Sequence, residues 1–224
     1  MTSQDAFEVT GRVWLRSAVS DVDRAELEAL LGRFEGPGNR PCWNSAYDKY
    51  LGAESAIGRY VRTLVPNAVP VRILSFNKSQ SVNWGVPWHQ DRIIAVKERA
   101  DVRGFSSWSR KSEFWHVEPP ESILASMLFV RMHLDSCPKE SGPMEMALGS
   151  HRFGRVSSGD ASELANNCEI DTGEAKAGDV LISKALTLHR SISSELNQPR
   201  RAIRVDYADP VLLPTPLKWA LYSA

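Results

Sequence analysis

The sequence contains three triplets in which a histidine precedes a carboxylate by two residues. They are His89 with Asp91, His116 with Glu118, and His133 with Asp135. In a β-strand, residues i and i+2 point to the same face, so each triplet offers a nitrogen and an oxygen ligand to one metal ion. With 5 His and 27 Asp plus Glu in 224 residues, chance predicts about 0.6 such triplets. A single match would mean little, and three require a choice among them.

A complete site needs a third ligand and an anchor for a cosubstrate. Two histidines and one carboxylate on one side of a metal leave three adjacent positions open, an arrangement that suits Fe(II) oxygenases. A keto-acid cosubstrate also needs a cation for its far carboxylate, and arginine binds carboxylates bidentately. His189 supplies a candidate ligand and Arg200 a candidate anchor. The short turn ELNQP between them predicts a hairpin that brings Arg200 back beside His189.

Strand alternation limits which arginine reaches the pocket. Arg200 and Arg204 share one face of the strand predicted over 200–208, and Arg201 lies on the other face. The pattern therefore allows only one of Arg200 and Arg201 to face the pocket, and it leaves open which one.

The hydrophobic pattern predicts helices first and strands afterwards. Helices are expected over 18–34, where Ser20 or Asp21 caps the N-terminus and Leu27, Leu30 and Leu31 share a face, and over about 45–65. Strands are then expected over the segments 69–79, 123–135, 143–149, 179–191 and 200–208. Helices followed by many short strands indicate an α+β chain with a mainly β core, either a sandwich or a barrel.

Residues 92–120 fit neither pattern. The segment is polar, contains Trp108 and Trp115, and ends in two prolines. A long irregular insert is typical of a lid. Trp108, Trp115 and His116 are candidates for the wall of a substrate pocket, although tryptophans packed beneath a lid are the alternative.

Composition excludes several classes of function. The formal net charge is zero, which gives no basic surface for nucleic acid and no polybasic membrane anchor. No apolar run approaches the roughly 20 residues that span a bilayer, and the N-terminus lacks the pattern of a secretory signal. The three cysteines show no CxxC spacing, so we expect reduced thiols and a cytoplasmic protein.

Four blocks of sequence give the chain a family resemblance. They are FNKSQSVNWGVPWHQD, HLDSCPKESGPMEMALGSHRFG, AGDVLISKALTLHRS and RRAIRVDY, which together run from about residue 70 to 208. In this order they resemble the phytanoyl-CoA dioxygenase family of Fe(II)- and 2-oxoglutarate-dependent oxygenases. The resemblance implies a double-stranded β-helix, or cupin-like jelly roll, with flanking N-terminal helices. One domain is expected over 1–224, with a helical part over about 1–68, a jelly-roll core over about 69–210 and a lid-like insert over about 92–120.

The resemblance also selects the site residues. It implies that His89, Asp91 and His189 bind iron and that Arg200 binds 2-oxoglutarate. Further cosubstrate contacts are implied for Ser191, Arg131, Leu74 and Lys78. The resemblance places His133 and Asp135 on a structural strand, and His116 and Glu118 in the insert. Because related halogenases replace the carboxylate of this motif with Gly or Ala, Asp91 favours hydroxylation.

The expected activity is hydroxylation of an unactivated C–H bond in a small-molecule metabolite, with Fe(II), 2-oxoglutarate and O₂ required and ascorbate supportive. Desaturation, cyclisation or epimerisation by the same cofactors is the first alternative. A non-catalytic jelly-roll binding protein is the second. We expect a monomer or small homo-oligomer without nucleic-acid or membrane partners.

Overall fold

The computed structural model describes residues 3–32, 38–78, 83–111, 113–196 and 198–221. Within these ranges the chain forms short helices and mainly antiparallel strands, as expected for an α+β protein with a β core. The predicted ends of helix 18–34 and of strand 69–79, and Asn197 in the ELNQP turn, lie outside the described residues. In the part that is described, no helix has the length and apolar character needed to cross a membrane.

The described α-helices are mostly short. They are α1 (Ser3–Thr10), α2 (Asp21–Leu31), α3 (Asp48–Leu51), α4 (Ala56–Leu64), α5 (Glu121–Ala125) and α6 (Ala161–Asn166). Helix α2 begins after Ser20, whose side chain accepts a hydrogen bond from Asp23 N–H and so caps the helix. Leu27 of α2 is fully buried, but Leu30 is exposed, contrary to the predicted apolar face.

The helix predicted over 45–65 is interrupted. Gly52 adopts an extended conformation after α3, and Ser55 then caps α4 by accepting a hydrogen bond from Gly58 N–H at 3.0 Å. The new cap starts a second helix because it satisfies a backbone donor that has no intrahelical partner.

The strands run through the whole chain. They are β1 (Arg12–Leu15), β2 (Gly38–Asn39), β3 (Val69–Lys78), β4 (Val86–His89), β5 (Ile94–Val96), β6 (Ser106–Lys111), β7 (Phe114–Glu118), β8 (Leu128–His133), β9 (Met144–Ala147), β10 (Ile170–Asp171), β11 (Val180–Lys184), β12 (His189–Ser191) and β13 (Arg200–Ala208). Two of them, β1 and β2, lie in the part predicted to be helical.

Three sheets result from these pairings. The large sheet has the order β1-β11-β8-β13-β3-β2, and the small sheet has the order β10-β9-β12-β4. Strands β5, β7 and β6 form a third sheet. The segment 92–120 is therefore not the irregular insert that its polarity predicted, since its three strands pair with one another and bury Ile94 and Val117.

Helices cover one face of the large sheet. Leu27, Leu51 and Val61 from the helices join Ile203 and Val205 of β13 in one buried cluster. Burial of these apolar side chains is the main term that stabilises the packing of the helices on the sheet. Because residues alternate along β13, this packing turns Arg200 and Arg204 toward the opposite face of the sheet.

Two predicted strand boundaries are wrong. Residues 121–125 form α5, so the strand predicted over 123–135 begins only at Leu128. The apolar run 179–191 contains two strands, β11 in the large sheet and β12 in the small sheet. His189 and Arg200 therefore do not form a hairpin: β12 pairs with β4 and β9, whereas β13 pairs with β3 and β8.

Candidate active site

Two histidines face each other across adjacent strands of the small sheet. His189 of β12 pairs in register with His89 of β4, and their ring centroids lie 4.3 Å apart. Nδ1 of His89 lies 2.8 Å from the carbonyl oxygen of Pro87, and Nδ1 of His189 lies 3.0 Å from that of Thr187. Since a carbonyl oxygen only accepts, each Nδ1 carries the proton, and each Nε2 keeps its lone pair for a metal.

Asp91 completes this group just beyond the end of β4. Ligand atoms of His89, Asp91 and His189 all lie within 4.8 Å of one another. Gln90, between the two motif residues, points away and is buried. Its amide donates to the carbonyls of Gly154 and Leu186 at 2.8 and 2.7 Å. These bonds fix the backbone that presents His89 and Asp91.

Charge and burial affect the protonation of two of the candidate ligands, Asp91 and His89. Burial alone would raise the pKa of Asp91, but the nearby Arg204 and His189 hold it well below its ordinary value. Burial, followed by the charge of His189, lowers the pKa of His89. The ionised carboxylate of Asp91 and the neutral imidazole of His89 are forms that bind a divalent metal.

A buried ion-pair network extends from Asp91 into the large sheet. Arg204 pairs with Asp91 and, through Nε, with Asp206 at 2.7 Å. Arg72 pairs with the other oxygen of Asp206 at 2.7 Å. The Arg204 guanidinium also lies 3.5 Å from the centre of the Phe129 ring. The network ties Asp91, just beyond strand β4, to the facing strand β13.

Arg200 is the arginine that faces the interior, and Arg201 faces outward. Arg200 is 5% exposed, whereas Arg201 pairs with Asp135 at 2.7 Å and with Glu28 at 2.9 Å on the helical side. Arg200 lies opposite Lys78 of β3 in the strand register. The alternative left open by the sequence is thus decided by the outward ion pairs of Arg201.

Lys78, Arg131 and Arg200 form a buried cationic cluster. Burial and then the charges of Arg200 and Arg131 lower the pKa of Lys78 to about 8. Burial and then Arg200 lower the pKa of Arg131 to about 9. Among the described residues, none of the three forms an ion pair with a carboxylate, and Nε of both arginines has no hydrogen-bond partner.

This cluster also makes neutral contacts. Lys78 Nζ donates to the carbonyl of Ile192 at 2.5 Å, and Nη1 of Arg200 lies 3.7 Å from Sγ of Cys137. Gly142 (φ 63°) permits this packing, because a Cβ there would lie 2.4 Å from the Ile192 oxygen. Since buried charges are normally paired, the cluster fits a bound anion such as a dicarboxylate.

A cavity of about 360 Å³ lies between the sheets, and among the described residues Lys78 is not part of its wall. Its wall includes the triad, Arg200 and Arg131, and also Ser191 and Leu74. Such a volume is suited to a small molecule. The donor set of two imidazoles and one carboxylate fits Fe(II), and the cationic cluster fits the far carboxylate of 2-oxoglutarate.

The predicted substrate residues divide into two groups. His116 is 3% exposed and lines the cavity. Trp108 and Trp115 do not line it among the described residues. Their rings meet edge to face at 6.3 Å, and both pack against a buried cluster that includes Val96. Of the two interpretations of Trp108 and Trp115, packing beneath the insert therefore agrees with their position better than a place in the cavity wall.

Several residues at the cavity were missed by sequence reasoning. The sequence indicates only that Arg204 shares a face with Arg200. Its partner Asp206 lies two residues further along the same strand, and Arg72, which also pairs with Asp206, lies on the neighbouring strand β3. Arg40 and Lys111 also line the cavity. No spacing rule indicates them, since they come from distant segments.

Comparison with known proteins supports the class suggested by this geometry. The family model described as "Phytanoyl-CoA dioxygenase (PhyH)" matches residues 48–202. Comparison with curated protein sequences gave no significant match.

Solved structures share the fold at low sequence identity. EvdMO1 is 19% identical with a TM-score of 0.66, and the match covers 93% of this chain but 49% of EvdMO1. The epimerase SnoN from nogalamycin biosynthesis, solved with Fe³⁺, α-ketoglutarate and nogalamycin RO, is 15% identical with a TM-score of 0.70, covering 99% of this chain and 94% of SnoN. HygX from Streptomyces hygroscopicus, solved with nickel, 2-oxoglutarate and hygromycin B, is 12% identical with a TM-score of 0.62, covering 94% and 88%.

A β core of facing sheets with a His-Asp-His triad between them defines an oxygenase that depends on iron and 2-oxoglutarate. Within this class, the match over residues 48–202 shows that the chain belongs to the phytanoyl-CoA dioxygenase family.

Proposed function

We propose that this protein hydroxylates an unactivated C–H bond of a small-molecule metabolite, using Fe(II), 2-oxoglutarate and O₂. The observation that carries the proposal is the placement of His89, Asp91 and His189 in one cavity with the buried Arg131 and Arg200. Two imidazoles and one carboxylate leave three metal positions open for cosubstrate, oxygen and water.

The protein's own residues would divide the work. His89, Asp91 and His189 would hold the iron, with their orientation fixed by hydrogen bonds and by Arg204. Arg200 would bind the far carboxylate of 2-oxoglutarate, with Lys78 and Arg131 adding charge and Leu74 and Ser191 bounding the pocket. The bound iron supplies oxygen activation. Overall, 2-oxoglutarate is converted to succinate and CO₂, one oxygen atom enters succinate, and the other enters the substrate.

The third sheet, formed by β5, β6 and β7, would exclude water from the cavity. It brings His116 and Lys111 to the cavity wall while its tryptophans pack behind. Exclusion of water protects reactive chemistry and is a common role of elements that cover a site.

The test is 2-oxoglutarate turnover with Fe(II), and with ascorbate to keep the iron reduced. Succinate and CO₂ should form, and His89→Ala and Asp91→Ala should each abolish turnover and iron binding. His151→Ala is the matched control, because His151 lies outside the triad and contacts the Glu8 carbonyl. Wild-type protein that binds neither iron nor 2-oxoglutarate would contradict the proposal and would favour a non-catalytic binding protein.

Desaturation, cyclisation or epimerisation is the alternative outcome. It is supported by the structural neighbours SnoN, titled an epimerase, and SnoK, titled a carbocyclase. Product mass distinguishes these reactions: hydroxylation adds one oxygen, desaturation removes two hydrogens, and epimerisation leaves the mass unchanged.

The proposed setting is the cytoplasm, with the protein acting as a monomer or small homo-oligomer on a small molecule, without nucleic-acid or membrane partners. The zero net charge and the three free cysteines support this setting. Size-exclusion chromatography of the reduced protein measures the oligomeric state.

A further inference from the structure

The walls of the cavity carry a large excess of positive charge. Among the described residues, seven arginine and lysine side chains line the cavity, and Asp91 is the one carboxylate in its wall. A cavity wall that carries mostly one sign of charge attracts ligands of the opposite sign.

Five of these cations have an assigned partner. Arg204 and Arg72 share Asp91 and Asp206. Arg190 pairs with Glu145 at 2.5 Å. The fourth and fifth are Arg200 and Arg131, which the proposed function assigns to the binding of 2-oxoglutarate. Arg40 and Lys111 are left. Both are exposed, and neither forms an ion pair with a carboxylate in the described part of the chain.

His116 lies beside this pair of cations and is itself unsatisfied. It is 3% exposed and lines the cavity. Neither ring nitrogen has a hydrogen-bond partner of good geometry among the described residues, although the backbone of Phe114 lies close enough to favour the charged form. Burial, then the charge of Arg72, and then those of Arg40 and Lys111 contribute to lowering its pKa to about 4. One carboxylate, Glu113, is nearby. It accepts a hydrogen bond from Sγ of Cys42 at 3.6 Å and lines an adjoining pocket of about 30 Å³ whose wall also includes Arg40, Lys111 and His116. Among the described residues, no ion pair joins Glu113 to either cation.

This group is separate from the cosubstrate end of the cavity. Arg200 lies opposite Lys78 at the end of β3. Arg72, which contributes to the pKa of His116, lies six residues earlier on the same strand, which is about 20 Å at the usual rise per residue. Arg40 directly follows Asn39, which pairs with Ser75 in the middle of β3.

We propose that the substrate carries an anionic group, a carboxylate, sulfate or phosphate, bound by Arg40 and Lys111 with a hydrogen bond to His116. This inference rests on the proposed function and names the substrate class of the same site. Charge-assisted hydrogen bonds to such a group would satisfy both cations and the buried imidazole. They would also orient the substrate, because 2-oxoglutarate is held at the other end.

The test uses inorganic phosphate and acetate as probes. Each is titrated at constant ionic strength into protein loaded with diamagnetic Zn(II) and saturating 2-oxoglutarate, and the ring resonances of His116 are followed by NMR. His116→Gln identifies these resonances among the five histidines. We expect millimolar binding that raises the pKa of His116, and at least a tenfold weaker affinity in the Arg40→Gln/Lys111→Gln double variant.

The matched control is Arg103→Gln/Arg110→Gln, which removes the same charge from exposed positions that do not line the cavity. It should bind both probes as the wild type does. Preference for phosphate over acetate indicates a tetrahedral anion, and the reverse indicates a carboxylate. Melting temperature and 2-oxoglutarate binding check that the cavity variant is folded and loaded.

Three binding results and one activity result would overturn the inference. The binding results come first. They are the absence of probe binding to the wild type, equal weakening in the control variant, and loss of 2-oxoglutarate binding together with probe binding, which would assign both cations to the cosubstrate. A neutral substrate turned over equally by the wild type and by the cavity variant would also refute it. Failure of the proposed function is distinct, since wild-type protein would then bind no 2-oxoglutarate whatever the probes do.

Discussion

Replacing Arg204 with methionine should damage both stability and the metal site. The Arg204 side chain is 8% exposed and bridges Asp91 and Asp206, the latter 1% exposed. Removing one partner of a buried ion pair typically costs about 3–5 kcal/mol because the remaining charge stays desolvated. Asp206 keeps Arg72 at 2.7 Å, so we expect the lower end, about 3 kcal/mol.

The assay is thermal unfolding of metal-free protein together with titration of Fe(II) under anaerobic conditions. For a chain of this size, 1 kcal/mol shifts the melting temperature by about 2–4 °C, so Arg204→Met should lower it by about 6–12 °C. Because Arg204 orients a metal ligand, iron affinity should also fall by about 10–100-fold. Arg204→Lys should recover part of the stability, since an ammonium provides the charge without the planar fork that bridges two carboxylates.

Arg201→Met is the matched control on the same strand. Arg201 also has two carboxylate partners, Asp135 and Glu28, but it lies on the outer face, where the three side chains are 20–27% exposed. Such pairs contribute about 1 kcal/mol or less each, and iron affinity should be unchanged. If Arg204→Met retained wild-type stability and iron affinity, or if Arg201→Met weakened iron binding equally, the network would not be what orients Asp91.

Three further substitutions test the cavity. Lys78→Met should stabilise the ligand-free protein by about 1–3 kcal/mol below pH 8, because a folded-state pKa of about 8 lies below the usual value near 10.4. The free energy of unfolding of the wild type should increase as pH rises from 8 toward 10, because Lys78 then loses its charge. The variant should show no such increase, and it should bind 2-oxoglutarate more weakly. Arg200→Met should raise the KM for 2-oxoglutarate at least about tenfold, with Arg201→Met unchanged; equal KM values in steady-state assays would refute the assignment. His116 has a pKa of about 4 in the folded protein, below its usual value near 6.5. The free energy of unfolding should therefore be constant above pH 6.5 and fall by up to about 3 kcal/mol as pH decreases toward 4. His116→Gln should flatten that part of the stability profile, measured by urea unfolding at each pH.

Local sequence signals located the metal-binding candidates but not the groups that orient them. Alternation along a strand predicts that Arg200 and Arg204 share a face, and the order of the blocks selects His89, Asp91 and His189. The partner of Arg204 on its own strand, Asp206, is also two residues away and was missed, because a short acidic-basic spacing is common on any exposed strand.

The topology was less accessible because its contacts are distant in the chain. Strand β1 pairs with β11, so that Val13 lies opposite Ile182, and no local pattern reports such a pairing. The run 179–191 was predicted as one strand because its apolar residues are continuous. In the structure, Ala185 and Leu186 are buried where the chain crosses from one sheet to the other, and burial of the crossing hides the boundary.

The large sheet has an apolar face that packs against the helices and a charged face that lines the cavity, and this arrangement explains how the protein tolerates the charge. Ile203 and Val205 bury the outer face of β13 against the helices, a favourable term that does not depend on any ligand. The residues that alternate with them, Arg200 and Arg204, face the cavity, where Asp91 neutralises only Arg204. A strand whose outer face is secured in this way can carry an unpaired arginine inward at a cost in stability. Binding of a dicarboxylate would then recover part of that cost, so the charge that weakens the ligand-free protein is the same charge that would give the cosubstrate its affinity.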